Sequence, residues 1–430
     1  MRPIFPNNYM FNHGSMYTIT CLKTVTIMHR KIKRTVIKVL CLIGLTAVTA
    51  GCGNNTSNNK ILNPGNINTD GCAEITFNSQ TKRMPFDSVI TDISFIKLET
   101  NDSCLIGKID QVLYTDRYIY VMDIEIANAV YCFDKQGRFV RRIGKVGNGP
   151  GEYPRLCQMA LTADGKQLVI YDWAYYHYYD LEGNRIKDEF VADNLGGQNM
   201  VFIRGATIVY YSGGSPEAQD CMVKVYDEQK ELIYYEFPTF RTKHFRTTPT
   251  MLSLYNFGGN AYWNAPWTED IYRIGADKCY KAYHLNIENG GYPPLDDDTD
   301  DDTYRAMRQN RLCLDRYAVL SGHALFWLHS LKSKQCAIYS HKTKKTYLIT
   351  PESSNPLIPS FIFYNEYPEV CDTHTYLISQ PTRLVLFWKE AVYKMLEEQE
   401  KKDPKVDQLY EGLTEDSNPV LFLFTVNEKL

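Results

Sequence analysis

The sequence predicts an all-β protein in which six similar antiparallel units close into a six-bladed β-propeller. Strand-like runs recur along the chain, and helical periodicity is rare. A strand–turn–strand unit returns roughly every 40–60 residues, as in repeat folds of this kind. About 350 residues remain beyond the N-terminal leader and tether, which is more than one core of the usual size accommodates. Each unit can bury its two faces only against its neighbours.

The N-terminus predicts a secretory leader. From residue 28, a basic stretch is followed by a short apolar core and then by small residues. This pattern is typical of a signal peptide, and its core is too short to span a bilayer as a stable helix. We therefore expect residues 1–27 to be a mis-called upstream extension and residues 28–51 to be a lipoprotein signal peptide.

The residue after this segment is Cys52, preceded by Thr-Ala-Gly. The pattern resembles the lipobox of bacterial lipoproteins, and the resemblance implies a diacylglycerol on the Cys52 sulfur. Several acyl chains, at about 0.8 kcal/mol per buried CH₂, would anchor the protein stably. The alternative is a plain secreted protein in which Cys52 is incidental. Residues 52–85 are predicted to be a flexible tether, and residues 86–430 to be the propeller.

The repeated unit is clearest in two places. In the first copy a strand ends at Asp123, and the following strands are joined by the turn at residues 134–137. In the second copy the corresponding features are Asp172 and residues 180–183. Weaker copies follow at residues 206–237, 258–285, 323–349 and 373–380, the last completed by the C-terminal strand.

Ring closure requires that a strand from the other end of the chain complete the last blade. We expect "SVITDISFIKLET" (residues 88–100) to pair with "VLFLFTV" (Val420–Val426). Together with "YIYVMD" (Tyr118–Asp123) and residues 130–156, "FIKLET" resembles the six-bladed β-propeller lipoproteins of Bacteroides-type bacteria, which have NHL-repeat-like blades. The resemblance implies an architecture and a location in the cell envelope, at the outer membrane, and it implies little about activity.

The glycine-rich loop "GNGPGEY" ends at Glu152 and Tyr153. It has neither the Lys-Ser/Thr nor the following helix of a phosphate-binding loop, and Glu152 would repel a phosphate. We expect an inter-blade connection, where glycine supplies positive φ and proline stiffens the chain. The alternative is that Glu152 and Tyr153 line a face of the propeller and touch a ligand.

Other candidate ligand-binding residues lie at strand ends and turns. Asp123 and Asp172 are the candidates for the channel, although both could simply stabilise turns. Trp263 and Trp267 lie close to acidic residues and could hold a sugar, although core packing is the commoner role of tryptophan.

The acidic run at residues 296–302 contains weak calcium candidates at Asp296, Asp298 and Asp300, but its spacing departs from the EF-hand pattern. A solvated loop capping a helix from Thr303 is the simpler interpretation. Residues 388–405 predict one amphipathic helix inserted in the last unit, either packed on the propeller or docking a partner.

The net charge of −3 gives no electrostatic footprint for nucleic acid. Without C-x-x-C, G-x-S-x-G or H-E-x-x-H, the sequence gives little support for zinc binding or catalysis. We expect a monomeric, membrane-anchored binding module without a cofactor, whose partner is a glycan or an envelope protein. The alternative is a hydrolase or lyase with a metal-assisted site at the mouth of the central channel.

Overall fold

The structure is a computed structural model that describes residues 67–191, 199–211, 221–238, 254–265, 268–293, 300–353, 355–357, 368–371 and 373–430. Six sheets of four or five strands form a six-bladed β-propeller, which confirms the predicted fold. The expected upstream extension, the signal peptide and Cys52 lie outside the described residues.

The described chain begins with a segment that precedes the first complete blade. It contains the strands β1 (Ala73–Phe77), β2 (Arg83–Pro85) and β3 (Ile90–Lys97) and the single-turn helix α1 (Phe86–Val89). Blade 1 and its connection to blade 2 contain β4 (Gln111–Tyr114), β5 (Tyr118–Asp123), β6 (Ala129–Asp134), β7 (Phe139–Ile143), β8 (Lys145–Val146) and β9 (Glu152–Tyr153). Blade 2 contains β10 (Gln158–Leu161), β11 (Gln167–Tyr171), β12 (Tyr175–Asp180) and β13 (Arg185–Phe190).

The next three blades repeat the four-strand meander. Blade 3 contains β14 (Asn199–Ile203), β15 (Ala206–Tyr210), β16 (Cys221–Tyr226) and β17 (Leu232–Pro238). Blade 4 contains β18 (Leu254–Phe257), β19 (Asn260–Asn264), β20 (Asp270–Ile274) and β21 (Cys279–Ile287), followed by helix α2 (Asp301–Arg308). Blade 5 contains β22 (Cys313–Val319), β23 (His323–His329), β24 (Lys334–Ser340) and β25 (Thr346–Thr350).

Blade 6 joins the two ends of the described chain. It contains β26 (Glu369–Val370), β27 (Thr375–Gln380) and β28 (Val420–Val426), and its fourth strand is β3. β28 and β3 pair antiparallel, with Phe422 opposite Phe95. The predicted closure is therefore confirmed.

The part of the expected tether that is described differs from the prediction. β1 pairs in parallel with β21 and adds a fifth strand to blade 4. β2 pairs in parallel with β25 and adds a fifth strand to blade 5. Ile75 and Phe77 are buried, so this segment binds the rim through apolar packing as well as through the strand ladder.

The insertion in blade 6 has three helices: α3 (Thr382–Phe387), α4 (Lys389–Glu398) and α5 (Pro404–Tyr410). The predicted helix corresponds to α4. Its residues Val392 and Leu396 are buried in the same core cluster as blades 4–6, so the insertion packs on the propeller. Of the helices that the structure describes, none has the length and apolar character needed to cross a membrane.

Candidate functional site

A cavity of about 300 Å³ lies on the axis of the propeller, between the inner strands of blades 1–4 and 6. Much of its wall is apolar, and it includes Val112, Met159, Val201 and Leu377. The polar side chains of the wall belong to several blades and include those of Tyr114, Tyr255, Asn256, Glu369 and Ser379. The channel therefore offers scattered polar groups within an apolar surround, the usual composition of a small-molecule site.

Two glutamines at the starts of inner strands join neighbouring blades across the channel wall. Gln111 Nε2 donates to Met159 O at 2.8 Å, and Met159 N donates to Gln111 Oε1 at 3.0 Å. Gln158 makes the same pair of bonds with Met200, at 2.9 and 2.7 Å. An inner strand has no neighbouring strand on its channel side. Each glutamine amide therefore pairs with the backbone N–H and C=O of one residue there, as a neighbouring strand would.

Glu369, the first residue of β26, lies in the same channel wall. Burial among the surrounding blades raises its pKa to about 8. The residue as a whole is half-buried, because one side of it borders the open space of the channel. Within the described parts of the chain, no side chain makes a hydrogen bond or an ion pair with this carboxyl.

We call the end of the propeller at which β4 begins and β5 ends the upper end. Asp123 lies here, fully buried, at the end of β5. Gly107 N and Lys108 N donate to Asp123 Oδ2, at 2.7 and 3.1 Å. Ile126 N and Ala127 N donate to Asp123 Oδ1, at 2.9 and 3.1 Å. Both oxygens of this channel candidate are thus occupied by backbone groups, and the residue stabilises its turn.

Asp172 has the corresponding position in blade 2. Its Oδ1 accepts hydrogen bonds from Ala174 N at 2.8 Å and from Tyr175 N at 2.6 Å. These bonds hold the intervening Trp173 at φ +81°, in a region that bulky side chains rarely adopt. Asp172 therefore also serves its turn, and the turn presents a strained tryptophan.

The other oxygen of Asp172 begins a chain of charged groups that runs from the buried Asp172 and His177 outward to the partly exposed Arg185. His177 Nε2 lies 2.9 Å from Asp172 Oδ2, and His177 Nδ1 lies 2.9 Å from Asp188 Oδ1. Arg185 Nη2 donates to Asp188 Oδ2 at 2.6 Å. Carboxylates only accept hydrogen bonds, so this arrangement fits the imidazolium, which donates from both ring nitrogens.

The pKa values follow from these contacts. Burial alone would lower the pKa of His177, but its bonds to Asp172 and Asp188 outweigh burial and raise it. Burial alone would raise the pKa of Asp172, but its bonds from His177 and from two backbone groups lower it. The pKa of Asp188 is lowered in the same way by Arg185 and His177.

Exposed rings lie next to this cluster, and the ring centre of Tyr175 is 6.0 Å from that of His177. With Arg155 we call them the aromatic surface: Arg155, Trp173, Tyr175 and Phe190. Trp173 is 43% exposed, Tyr175 41% and Phe190 60%. The rings of Tyr175 and Phe190 meet edge to face at 5.6 Å, and the guanidinium of Arg155 lies 5.0 Å from the centre of the Trp173 ring. Large exposed rings held in fixed positions are typical of binding surfaces.

The glycine-rich loop forms the connection between blades 1 and 2. Glu152 folds back over it, accepting from Gly149 N at 2.9 Å and pairing with Lys145 Nζ at 2.8 Å. A Cβ at Gly147 would overlap the Glu152 carboxylate, which explains why this position has no side chain. Tyr153 is fully buried, and its hydroxyl donates to Ile143 O at 3.1 Å. Both residues therefore have structural partners here.

Trp263 does not occupy the exposed position that a sugar site would need. Trp263 is fully buried, with its ring centre 4.3 Å from that of Phe237, so it cannot stack against a ligand. Its neighbours Ala261 and Tyr262 in β19 are buried as well, so Trp263 belongs to the core. Trp267 lies outside the described residues.

Of the calcium candidates, Asp296 and Asp298 lie outside the described residues. Asp300 is the N-cap of α2 and accepts from Thr303 N at 2.7 Å, as expected for a capping loop. Over the ranges that the structure describes, no three His, Cys, Asp or Glu side chains are grouped so that they could hold a metal ion.

Trp173 and Glu369 were not predicted from the sequence. A signal for Trp173 was present, because a tryptophan directly after a strand-ending aspartate must lie in a turn at one end of a blade. Glu369 gave no local signal, since its enclosure depends on strands from several distant parts of the chain.

A family model described as "Domain of unknown function (DUF4934)" matches residues 72–425. No curated protein matches the sequence. Among solved structures, a candidate exported protein from Bacteroides fragilis is 20% identical, with a TM-score of 0.65, over 83% of this chain and 99% of that one. This likeness supports the propeller fold.

Two other solved structures are more distant. The Cps50 (Swd1) β-propeller domain of Myceliophteria thermophila is 10% identical, with a TM-score of 0.36, over 67% of this chain and 96% of that one. A protein of unknown function from Bacteroides caccae is 11% identical, with a TM-score of 0.34, over 61% of this chain and 82% of that one.

Proposed function

The chain belongs to the DUF4934 family, and we propose that it is a lipid-anchored extracytoplasmic propeller that binds a glycan of the cell envelope on its aromatic surface. The observation that carries the proposal is Trp173, a bulky residue held at positive φ and left 43% exposed. Such a conformation costs of order 1–3 kcal/mol and persists only where the surroundings enforce it. Here the enforcing group is the buried carboxylate of Asp172.

The chemistry of the aromatic surface suits a saccharide. The apolar face of a sugar ring stacks on flat aromatic side chains, and its hydroxyls need nearby donors and acceptors. Trp173 and Tyr175 supply rings, and Arg155 beside Trp173 supplies hydrogen-bond donors. A rigid platform also loses little conformational entropy when a ligand binds.

The anchor is the second part of the proposal. The lipobox-like sequence before Cys52 would place acyl chains on that residue and hold the NHL-like propeller at the outer membrane. The Bacteroides fragilis relative, described as a candidate exported protein, supports a location outside the cytoplasm. Metabolic labelling with palmitate should mark the wild-type protein, and Cys52→Ser should abolish the label. Equal labelling of both would refute the anchor.

A glycan array tests the binding proposal. We expect the purified protein to bind a subset of envelope-type saccharides and Trp173→Ala to bind them at least 10-fold more weakly. The matched control is Ile186→Ala, on the same blade, since Ile186 is 45% exposed and lies near the opposite end of β13. Unchanged binding by Trp173→Ala would refute the proposal. So would a protein that binds no glycan but captures an envelope protein independently of Trp173.

A further inference from the structure

We infer that the central channel is a second binding site, which takes a small organic ammonium ion and holds it with the carboxylate of Glu369. The site is separate from the aromatic surface and does not depend on it. Its volume of about 300 Å³ is at the lower end of ligand pockets, so a compact ligand fits best.

The charge of the channel wall favours a cation. Two acidic side chains are found among the described lining residues, Asp110 and Glu369. Asp110 is already compensated, because Lys108 Nζ lies 2.9 Å from its Oδ1 and Ile124 N donates to its Oδ2 at 2.7 Å. Glu369 has no such partner in the described chain. A cation in the channel would therefore meet a single uncompensated carboxyl.

Charged and polar groups of the neighbouring inner strands lie around Glu369. Asp110, directly before β4, and the phenol of Tyr114 in β4 line the same cavity. The inner strand β22, which also packs against β26, carries Asp315 and Arg316. Arg316 Nε lies 3.3 Å from Asp315 Oδ2, so these two charges face each other. The adjacent strand β27 contributes the neutral side chains of Leu377 and Ser379 to the channel wall.

An enclosed carboxyl among apolar groups is stable either as the neutral acid or beside a cation. Without a cation beside it, Glu369 is largely the neutral acid at neutral pH, because burial raises its pKa to about 8. When an ammonium ion binds, the carboxyl loses its proton to the solvent and the resulting carboxylate pairs with the ammonium. An anion would be repelled, and a neutral ligand would gain no ion pair. The aromatic ring of Tyr255 offers a further favourable surface for a cation.

Isothermal titration calorimetry with benzylamine tests this inference, with benzyl alcohol as a neutral probe of nearly the same shape. We expect the wild-type protein to bind benzylamine at least 10-fold more tightly than benzyl alcohol, and Glu369→Gln to remove this preference. The matched control is Glu269→Gln, which changes an enclosed carboxyl outside the channel and should keep the preference. Trp173→Ala should keep it too, which separates this site from the aromatic surface.

Three results would overturn the inference: equal affinity of the wild type for both probes, no binding of either at about 10 mM, or a preference that survives Glu369→Gln. If circular dichroism shows that Glu369→Gln is unfolded, the pH dependence of binding by the wild-type protein tests the inference instead. Its affinity for benzylamine should rise at least fivefold between pH 6 and pH 8.5, as the carboxyl ionises, while its affinity for benzyl alcohol stays constant. A flat benzylamine profile would then overturn the inference.

Discussion

Replacing His177 with leucine should strongly destabilise blade 2, because His177 is the only cation among the described residues that touches the carboxylate of Asp172. The imidazole is 6% exposed and the Asp172 carboxylate 1%, so water cannot replace the lost contact. Asp188 is 20% exposed and keeps its hydrogen bond from Arg185, so the loss of His177 costs less free energy at this carboxylate.

The expected loss follows from these exposures. Removing one partner of a buried ion pair costs about 3–5 kcal/mol, and the retained Arg185 contact places His177→Leu near the lower value, about 3 kcal/mol. His284→Leu is the matched control. His284 Nδ1 lies 2.6 Å from Asp270 Oδ1, but its side chain is 33% exposed, and such a surface pair is worth about 0–1 kcal/mol.

The effect should also depend on pH. The folded-state pKa of His177 is raised, so its contribution is fully present below the unfolded value of about 6.5 and is lost as the pH rises through the folded value. The folded-state pKa values of Asp172 and Asp188 are lowered, so their contributions are present above about 3.9 and are lost in acid. The difference between wild type and His177→Leu should therefore be largest near pH 6 and smaller at pH 9.

Urea unfolding followed by circular dichroism at both pH values measures this difference. A loss below 1 kcal/mol at pH 6, or the same loss at pH 6 and pH 9, would show that the buried cluster does not behave as an ion network. An equally large loss in His284→Leu would show that burial is not the deciding factor.

Three further substitutions test the fold through thermal and urea unfolding. Gly137→Ala should cost about 1–3 kcal/mol, because the backbone there has φ +82° and the added Cβ would overlap the carbonyl oxygen of Lys97, whereas Gly322→Ala, which meets open space, should cost nothing measurable. Gln158→Leu should cost about 2 kcal/mol, because it leaves a backbone edge of the next blade unpaired. Phe422→Ala, in the strand that closes the ring, should cost about 3–5 kcal/mol, and the 74% exposed Phe387 should tolerate alanine within about 0.5 kcal/mol. These assignments would be contradicted if the two glycine variants, or the two phenylalanine variants, lost equal stability. They would also be contradicted if Gln158→Leu were as stable as the wild type.

The sequence was most informative where local chemistry decides the structure. Asp134 and Asp180 each begin a turn that ends at a glycine with positive φ, so the strands on either side could be placed from the chain alone. β3 could be assigned to blade 6 because a closed ring needs one strand from the opposite end. β1 and β2 could not be assigned, since they are short and each depends on a parallel partner about 200 residues or more away.

The candidate sites were less predictable for a related reason. The role of Asp172 depends on His177, five residues on, and on Asp188 in the next strand. The local sequence therefore could not show whether Asp172 stabilises a turn or binds a ligand. Trp263 was a ligand candidate because its acidic neighbours suggested a sugar site, and core packing was the commoner role weighed beside it. Its burial comes from blade 3 packing against blade 4. Glu369 became a candidate only when the inner strands were seen to enclose it.

Amide hydrogen exchange tests the central claim most directly, with and without the saccharide that binds best on the array. The account predicts that saturating saccharide slows exchange at residues 172–176 and 188–191, around the aromatic surface, and leaves blades 4 and 5 unchanged. Protection confined to other blades, or none at saturation, would contradict it.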